Sequence, residues 1–124
     1  MISIITPTYN SEKYILNNLQ SIHCNQDYDN IEQIIIDGNS TDSTIEIIDQ
    51  FKKANKSNIK LVVGQDKNMY DAINKGMKLI EGDIWACLNS DDQYHPNIMQ
   101  RVIHYYEKHQ NIDVITGDYF HVDN

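Results

Sequence analysis

Two adjacent carboxylates, Asp91 and Asp92, follow the apolar run 84–88 after only two polar residues, Asn89 and Ser90. Such a run is typical of a strand buried in a parallel sheet. In an open α/β sheet the ligand crevice lies outside the carboxyl ends of the strands, so the pair is placed where a ligand would bind. Neighbouring carboxylates repel each other unless a cation or water shares their charge. The pair is consistent with a cation site, and equally with a solvated turn that caps the next helix.

Polar residues also follow two other predicted strands. The first apolar run, residues 2–6, stops at Pro7, because proline lacks the N–H that a strand ladder needs. The polar residues 8–10 therefore lie at the end of this strand. The β-branched triplet 34–36 is of the kind buried on both faces of a sheet, and it ends at residues 37–40. Because the carboxyl ends of parallel strands meet at one edge, the three polar strand ends predict one shared crevice.

Strand and helix patterns alternate along the chain. The apolar spacing predicts strands at residues 2–6, 34–36, 61–63, 84–88 and 114–116, and helices that begin near Ser11, Ser43, Met69 and Pro96. This alternation favours a mostly parallel sheet with right-handed crossovers and helices on both faces. We therefore expect an α/β protein with a three-layer α/β/α sandwich, the strand 84–88 at its centre, and Gly82 as the stop of the helix before it.

Length and composition fit one globular domain. The chain has 124 residues, of which 40% are hydrophobic and 23% charged. Its apolar runs are far shorter than the ~20 residues that span a bilayer, so we expect no membrane segment or signal peptide. Two cysteines, Cys24 and Cys87, lack metal-ligand spacing and suit free thiols in a reducing cytoplasm. The polar residues 117–124 have no closing helix after them, which suggests a sequence cut from a longer chain.

The net charge of −8 argues against nucleic-acid binding, which depends on neutralising phosphates with Lys and Arg. An anionic ligand would need helix N-termini, a few local cations or a divalent metal to offset the repulsion. No GxGxxG follows the first strand and no GxxxxGK[ST] occurs, so dinucleotide and P-loop sites are disfavoured. The five histidines share no metal-ligand spacing, and we expect none of them to be catalytic.

Five segments resemble the N-terminal, nucleotide-sugar-binding half of family 2 glycosyltransferases, which have the GT-A fold, a Rossmann-like sandwich. They are residues 5–10 (ITPTYN), 36–44 (IDGNSTDST), 66–76 (DKNMYDAINKG), 82–83 (GD) and 88–92 (LNSDD). Each segment alone is weak evidence for the family, but the five segments in this order and spacing are specific for it. The resemblance covers the whole chain. We expect residues 1–124 to be the nucleotide-diphospho-sugar-binding part of a GT-A domain, truncated at its C-terminal end.

The resemblance implies a nucleotide site at the first two strand ends. Pro7, Thr8 and Tyr9 would bind the nucleotide, with the Tyr9 ring against the base, where stacking contributes about 1–3 kcal/mol per base. Asp37 would accept a hydrogen bond from the imide N–H of the base, which favours uracil or thymine over cytosine. The alternatives are an edge-of-core tyrosine for Tyr9 and a turn acid for Asp37.

The later strand ends would hold the diphosphate. Asp66 and Lys67 occupy the loop in which the family contacts the nucleotide, and the Lys67 ammonium could meet a phosphate or be a solvated helix-end charge. Lys75 is the weaker candidate. Asp91 would contact the ribose or a metal-bound water, and Asp92 matches the acidic position that binds Mn²⁺ or Mg²⁺.

The family's DxD motif reads Ser90-Asp91-Asp92 in this chain, which leaves one acid fewer for a hard cation. Asp71 would orient the loop that carries Lys67. The catalytic residue is unknown, because the general base is expected beyond residue 124. Asp118, the one later carboxylate near a predicted strand end, is a weak candidate.

The implied activity is metal-assisted, inverting glycosyl transfer from a nucleotide-diphospho-sugar, UDP-linked, to a saccharide or lipid-linked acceptor. It would occur in the cytoplasm, at the inner face of the membrane. Peripheral membrane association of the full-length protein and a homo-oligomer both stay open. One alternative is a non-catalytic nucleotide-sugar-binding module.

A receiver-like signalling domain is the other alternative. It needs an acidic pair after the first strand, a phosphoacceptor Asp after the third and a Lys after the fifth. This chain has Pro7-Thr8, Gly64 and Gly117 at those positions, which disfavours the hypothesis.

Overall fold

The computed structural model describes residues 1–109 and 111–121, and in them four strands alternate with four helices. The strands are β1 (Ile2–Thr8), β2 (Ile31–Asp37), β3 (Ile59–Val63) and β4 (Ile84–Cys87). The helices are α1 (Ile15–His23), α2 (Thr44–Asn55), α3 (Met69–Met77) and α4 (Ile98–Lys108). None of these helices is long and apolar enough to cross a membrane.

The strands form one parallel sheet with the order β3-β2-β1-β4. Successive residues of a strand face opposite sides, and Ile4 packs with α1 and α4 whereas Ile5 meets α3. In β2, Ile35 packs with α1 and α2, and Ile36 packs with α3. Helices therefore cover both faces, and the predicted three-layer α/β/α sandwich is confirmed.

Two glycines permit close approaches around β1. A Cβ on Gly76 of α3 would lie 2.6 Å from Cγ2 of Ile5, so α3 can rest on β1 only without a side chain there. A Cβ on Gly82 would lie 2.5 Å from the Met1 carbonyl oxygen. The prediction that Gly82 stops the third helix is wrong, because α3 ends at Met77 and Gly82 instead passes against the start of β1.

Glu32 of β2 is a fully buried carboxylate at the amino end of the sheet. It accepts hydrogen bonds from the Ser3 hydroxyl and the Glu81 N–H, and its Oε2 lies 2.8 Å from Lys60 Nζ. Burial raises the pKa of Glu32, but the ion pair and the hydrogen bonds outweigh it and hold the pKa below its usual range. The cluster links β1, β2 and β3 to the segment that enters β4.

β1 extends to Thr8, so the prediction that Pro7 ends the first strand is wrong. Pro7 pairs with Ile36 of β2, whereas the ladder between β1 and β4 covers only residues 2–5 of β1. At Pro7, β2 is therefore the one neighbouring strand in the described sheet. The N–H that proline lacks is not needed for pairing with β4. Pro7 itself is buried.

Two further sheet predictions are wrong. β4 is an edge strand of the described sheet, with Trp85 and Cys87 exposed, and not its centre. Residues 111–121 contain no strand, although residues 114–116 have a strand-like composition. Val114 is 76% exposed, and a β-branched residue gains little from a strand when no neighbour covers it. The rest of the polar segment, residues 122–124, lies outside the described residues.

Candidate functional site

The carboxyl ends of the first three strands lie side by side in register. Asp37, the last residue of β2, pairs with Thr8 of β1 and with Val63 of β3. The Gly38 N–H donates to the Thr8 carbonyl and the Gly64 N–H to the Asp37 carbonyl, both at 2.9 Å. The structure thus brings the polar residues after β1, β2 and β3 to one edge of the sheet, where a parallel α/β fold places its ligand crevice.

Tyr9 and Thr8 offer two different surfaces at the end of β1. The Tyr9 side chain is 61% exposed, and its ring lies beside Gly38, whose Cβ, if present, would be 3.4 Å from Tyr9 Cδ2. Thr8 is buried, and its hydroxyl oxygen has no hydrogen-bond partner among the described residues. An exposed ring and an unpaired hydroxyl are groups that a nucleoside could contact.

Asp37 is fully buried and forms part of its own turn. The Ser40 N–H donates to Oδ1 at 2.7 Å and the Ser40 hydroxyl to Oδ2 at 2.6 Å. Ser40 in turn accepts a hydrogen bond from the Asn10 N–H at 2.9 Å. Asn10 and Asn39 both have positive φ, of 48° and 72°, which asparagine tolerates better than most residues. The turns after β1 and β2 are therefore one connected unit beneath the Tyr9 ring.

The loop after β3 carries two predicted site residues, Asp66 and Lys67. Asp66 belongs to an ion-pair cluster, whereas Lys67 forms no ion pair within the described residues. Asp66 Oδ1 lies 2.5 Å from Lys75 Nζ, which also donates to the Gln65 carbonyl at 2.8 Å. The hydrogen bond to Asp66 is the main cause of the raised pKa of Lys75. The Lys75 ammonium also lies 3.3 Å from Asp71 Oδ2, so this single cation offsets part of the negative charge of both carboxylates.

Lys67 is the cation of this loop that stays available. The Lys67 N–H donates to Asp71 Oδ2 at 3.2 Å, and this bond is the main cause of the lowered pKa of Asp71. Asp71 therefore orients the loop, as the sequence predicts. The Lys67 side chain is exposed and forms no ion pair within the described residues. Asn68 caps α3 by accepting a hydrogen bond from the Asp71 N–H at 3.0 Å.

The acidic residues after β4 lie on a tight turn. The Leu88 N–H donates to the Ile5 carbonyl at 3.0 Å, and the Asp92 N–H then closes the turn on the Asn89 carbonyl, also at 3.0 Å. Asp91 and Asp92 are both exposed, and in the part of the chain that the structure describes neither carboxylate accepts a hydrogen bond. We call residues 89–92 the acidic turn.

Asn18 of α1 contacts this turn and is not among the residues predicted from the sequence. Asn18 is fully buried and its Nδ2 donates to the carbonyls of Asn89 and Asp92. The available signal was a polar residue in the core-facing stripe of the first helix, three residues after Ile15 and next to Leu19. A buried amide in such a stripe must find partners, and here they belong to the acidic turn.

Asp118 is not joined to the crevice. It lies in the irregular segment 111–121, it is exposed, and no hydrogen bond found within the described residues links it to the strand ends. Those same residues contain no group of three or more His, Cys, Asp or Glu side chains that could hold a metal ion. A cation at the acidic turn would therefore take its other ligands from a bound ligand or from water.

The parallel α/β sandwich with polar turns at the carboxyl edge of the sheet has the architecture of the GT-A class of nucleotide-binding fold, and solved glycosyltransferase structures share it. The chain belongs to Glycosyl transferase family 2, whose sequence pattern matches residues 3–124. The receiver-like hypothesis is therefore wrong.

One similar protein is the dolichyl N-acetyl-alpha-D-glucosaminyl phosphate 3-beta-D-2,3-diacetamido-2,3-dideoxy-beta-D-glucuronosyltransferase of Methanococcus voltae. It is 36% identical over 110 residues, which cover 86% of this chain and 34% of the relative. Other curated relatives are matched over 37% and 40% of their length, so the chain spans little more than a third of such proteins.

Two solved structures share the fold. Residues 1–349 of Staphylococcus aureus TarS, in complex with UDP-GlcNAc, match with a TM-score of 0.80 and 30% identity, over 88% of this chain and 32% of that one. The mannosyltransferase PcManGT of Pyrobaculum calidifontis, in complex with GDP-Man and Mn²⁺, matches with a TM-score of 0.70 and 26% identity, over 75% of this chain and 28% of that one.

Proposed function

We propose that this chain is the donor-binding part of a glycosyltransferase that transfers a sugar, with inversion, from a UDP-sugar to a saccharide or lipid-linked acceptor. The observation that carries the proposal is the shared carboxyl edge of one parallel sheet, where the exposed Tyr9 ring follows β1, the Lys67 loop follows β3 and the acidic turn follows β4. Membership of glycosyl transferase family 2 and the likeness to TarS, solved with UDP-GlcNAc, support it.

In this proposal the nucleoside lies across the ends of β1 and β2. The Tyr9 ring stacks on the base, and the Thr8 hydroxyl, which has no described partner, donates to or accepts from the nucleoside. Asp37 holds the Ser40 turn and accepts the imide N–H of uracil with a remaining lone pair, since each carboxylate oxygen can accept more than one hydrogen bond. Asp37 is buried, so this contact requires the turn to open slightly on binding. Pro7 is buried where β1 pairs with Ile36 of β2, and its contact with the nucleotide stays a prediction.

The diphosphate lies beside the nucleoside, with the acidic turn after β4 on one side and the flexible Lys67 side chain after β3 on the other. Lys67 binds a phosphate as a point charge, and Lys75 offsets part of the negative charge of Asp66 and Asp71. In a chain of net charge −8, both effects reduce the repulsion of an anionic ligand.

The residues of the acidic turn fit a divalent cation. Mg²⁺ and similar hard cations are commonly bound through one or two carboxylates together with substrate phosphates, and Asp91 and Asp92 offer two exposed carboxylates. We assign the direct contact to Asp92 and a water-mediated or ribose contact to Asp91. A bound Mn²⁺ or Mg²⁺ would supply charge neutralisation on the departing nucleoside diphosphate. The PcManGT structure, solved with GDP-Man and Mn²⁺, supports the use of a divalent cation.

The acceptor hydroxyl needs a general base within about 3 Å or through one water. The residues assigned above all have other roles, and no hydrogen bond or ion pair found within the described residues joins Asp118 to them. We therefore place the base outside residues 1–124 and the reaction in the cytoplasm, in keeping with the two free thiols, Cys24 and Cys87.

Calorimetric titration of the chain with UDP tests the proposal. We expect UDP to bind, Mn²⁺ to tighten the binding, and CDP to bind more weakly than UDP because cytosine lacks the imide N–H. Failure to bind UDP with Mn²⁺ present would contradict the proposed donor site.

A non-catalytic nucleotide-sugar-binding module is the second candidate, and donor binding alone does not separate it from an enzyme. The separating experiment compares this chain with the longer protein that contains it, each incubated with labelled UDP-sugars and a membrane extract. We expect sugar incorporation by the longer protein alone. Incorporation by neither would favour the binding module.

A further inference from the structure

The acidic turn has little regular structure to hold it. It follows β4, which is an edge strand of the described sheet, and residues 88–97 contain neither helix nor strand. Backbone hydrogen bonds within the turn are few, and the Asp92 N–H to the Asn89 carbonyl is the one that closes it. The position of the Asp91 and Asp92 carboxylates must therefore depend on side chains that reach the turn from neighbouring elements.

Asn18 of α1 makes the contact that spans the turn. Its Nδ2 donates to the Asn89 carbonyl and to the Asp92 carbonyl, each at 2.9 Å. These two carbonyls are the first and last of the turn, so one amide group bridges both of its ends. An amide carries two N–H donors, and both are used here.

The orientation of the Asn18 amide is itself fixed by a buried neighbour. Gln33 of β2 donates through Nε2 to Asn18 Oδ1 and to Thr6 Oγ1, both at 2.9 Å. The Gln33 Oε1 atom accepts from His23 Nε2 at 3.0 Å. Because the donor of Gln33 faces Asn18, the Asn18 oxygen must point to the sheet and its N–H₂ group to the acidic turn.

Other contacts from the α1 region reach the same loop but not both ends of the turn. The Ser11 and Ser90 hydroxyls lie 2.8 Å apart, and the Tyr94 N–H donates to the Ser21 hydroxyl at 3.2 Å. These bonds anchor single points of the loop. Asn18 alone among the described side chains bridges the two carbonyls that frame the Asp91 and Asp92 carboxylates.

We propose that Asn18 is a positioning residue, which holds the acidic turn in the geometry that presents Asp91 and Asp92 to a divalent cation on a nucleoside diphosphate. The inference rests on the function proposed above. Asn18 does not touch the cation or the nucleotide, and it acts only through the carbonyls of the turn. Side chains that orient metal ligands in this indirect way typically contribute 10–100-fold to metal affinity.

The test measures UDP affinity of the chain by calorimetry with Mn²⁺ and with excess chelator, for the parent and three variants. Asn18→Ala removes the bridge. Asn17→Ala changes the same residue type one position earlier, where the side chain is exposed. Ile48→Val trims the core between α2 and the sheet, away from the turn, and controls for lost stability. If Asn18→Ala does not fold, Asn18→Ser, which keeps one donor, replaces it.

We expect Asn18→Ala to reduce the tightening by Mn²⁺ about 10–100-fold while UDP affinity in chelator stays at the parent value. Asn17→Ala and Ile48→Val should keep the full Mn²⁺ effect. The proposal is overturned if Asn18→Ala keeps the parent Mn²⁺ effect, or if it weakens UDP equally with Mn²⁺ and with chelator, which is the result of a merely structural role.

A second measurement needs no ligand and separates this inference from the proposed function. Hydrogen exchange of the Asp92 amide, which closes the turn, should be faster in Asn18→Ala than in the parent and unchanged in Asn17→Ala. A parent that fails to bind UDP overturns the proposed function. An Asp92 amide that exchanges at the parent rate in Asn18→Ala overturns the positioning role.

Discussion

Asp37 and Ser40 are joined by two hydrogen bonds, one from the Ser40 N–H and one from its hydroxyl, which occupy both oxygens of a fully buried carboxylate. The same carboxylate is predicted to recognise uracil. Asp37→Ala would therefore combine two effects, because the partly buried Ser40 N–H would also lose its acceptor, and a fully buried donor in that state costs about 1–3 kcal/mol of stability. Substitutions that change one partner at a time are needed to separate the turn from the base contact.

We expect Asp37→Asn to reduce the preference for UDP over CDP, because an amide can also satisfy the donor and acceptor pattern of cytosine. Ser40→Ala removes one hydrogen bond to Asp37 but leaves the carboxylate, so the preference for UDP should remain. The measurement is the ratio of UDP and CDP affinities for each variant. If the ratio of UDP to CDP affinity is the same in the parent and in Asp37→Asn, the assignment of Asp37 to the base is wrong.

Tyr9→Ala should weaken UDP binding by about 1–3 kcal/mol, the scale of a lost base–aromatic stack, with a similar loss for uridine. Stability should change little, since the ring is 61% exposed. The matched control is Tyr105→Ala on α4, where the ring is 48% exposed and lies against His109. If Tyr9→Ala leaves the affinity for uridine unchanged, Tyr9 is a residue at the edge of the core and does not stack on the base.

Lys67→Gln should weaken UDP more than uridine, because the lost ammonium faces the diphosphate and not the base. The loss should shrink with added salt, since an exposed charge is screened. Lys53→Gln, an exposed lysine of α2, is the control for a change in net charge. Equal losses for UDP and uridine in calorimetric titrations would contradict a phosphate contact by Lys67.

The local elements of this chain could be predicted because they depend on spacing within a short window. The apolar stripes of α1 to α4 and the β-branched run of β2 are of this kind. The start of β2 was missed, because Glu32 and Gln33 are polar residues in buried positions. Their burial depends on Lys60 and Asn18, which lie far away in sequence.

The arrangement of the strands could not be predicted in full, because neighbours in a sheet are set by packing between distant segments. The alternation of strands and helices predicted a parallel sheet, and hence a shared crevice at the strand ends. It did not place β4 at the edge, and a strand-like run at residues 114–116 was not enough to form a fifth strand. Similarly, the sequence indicated Asp66 and Lys75 as site candidates but not their pairing.

Asp92→Asn should remove the effect of Mn²⁺ on UDP affinity and leave the affinity in excess chelator unchanged. A neutral amide is a poorer ligand for a hard cation than a carboxylate. The free energy of unfolding should change by less than about 0.5 kcal/mol, because Asp92 is exposed. Asp49→Asn, an exposed acid of α2, is the control for one lost negative charge and should keep the Mn²⁺ effect.

His23 lies against Phe51 with ring centroids 6.1 Å apart, and its Nε2–H donates to Gln33 Oε1. Burial lowers its pKa below 6.5, and the hydrogen bond to Gln33 offsets this only in part. The folded chain therefore binds fewer protons than the unfolded chain between the two pKa values, so stability rises with pH there.

The contribution of His23 is fully present above about pH 6.5, its unfolded pKa, and is lost as the pH falls through the folded pKa. We expect urea denaturation between about pH 5 and 8 to show a steeper loss of stability on acidification for the parent than for His23→Gln. His104→Gln, which changes an exposed histidine of α4, should follow the parent profile. Parallel profiles for the parent and His23→Gln would contradict this role, because the two proteins differ in that one titrating group.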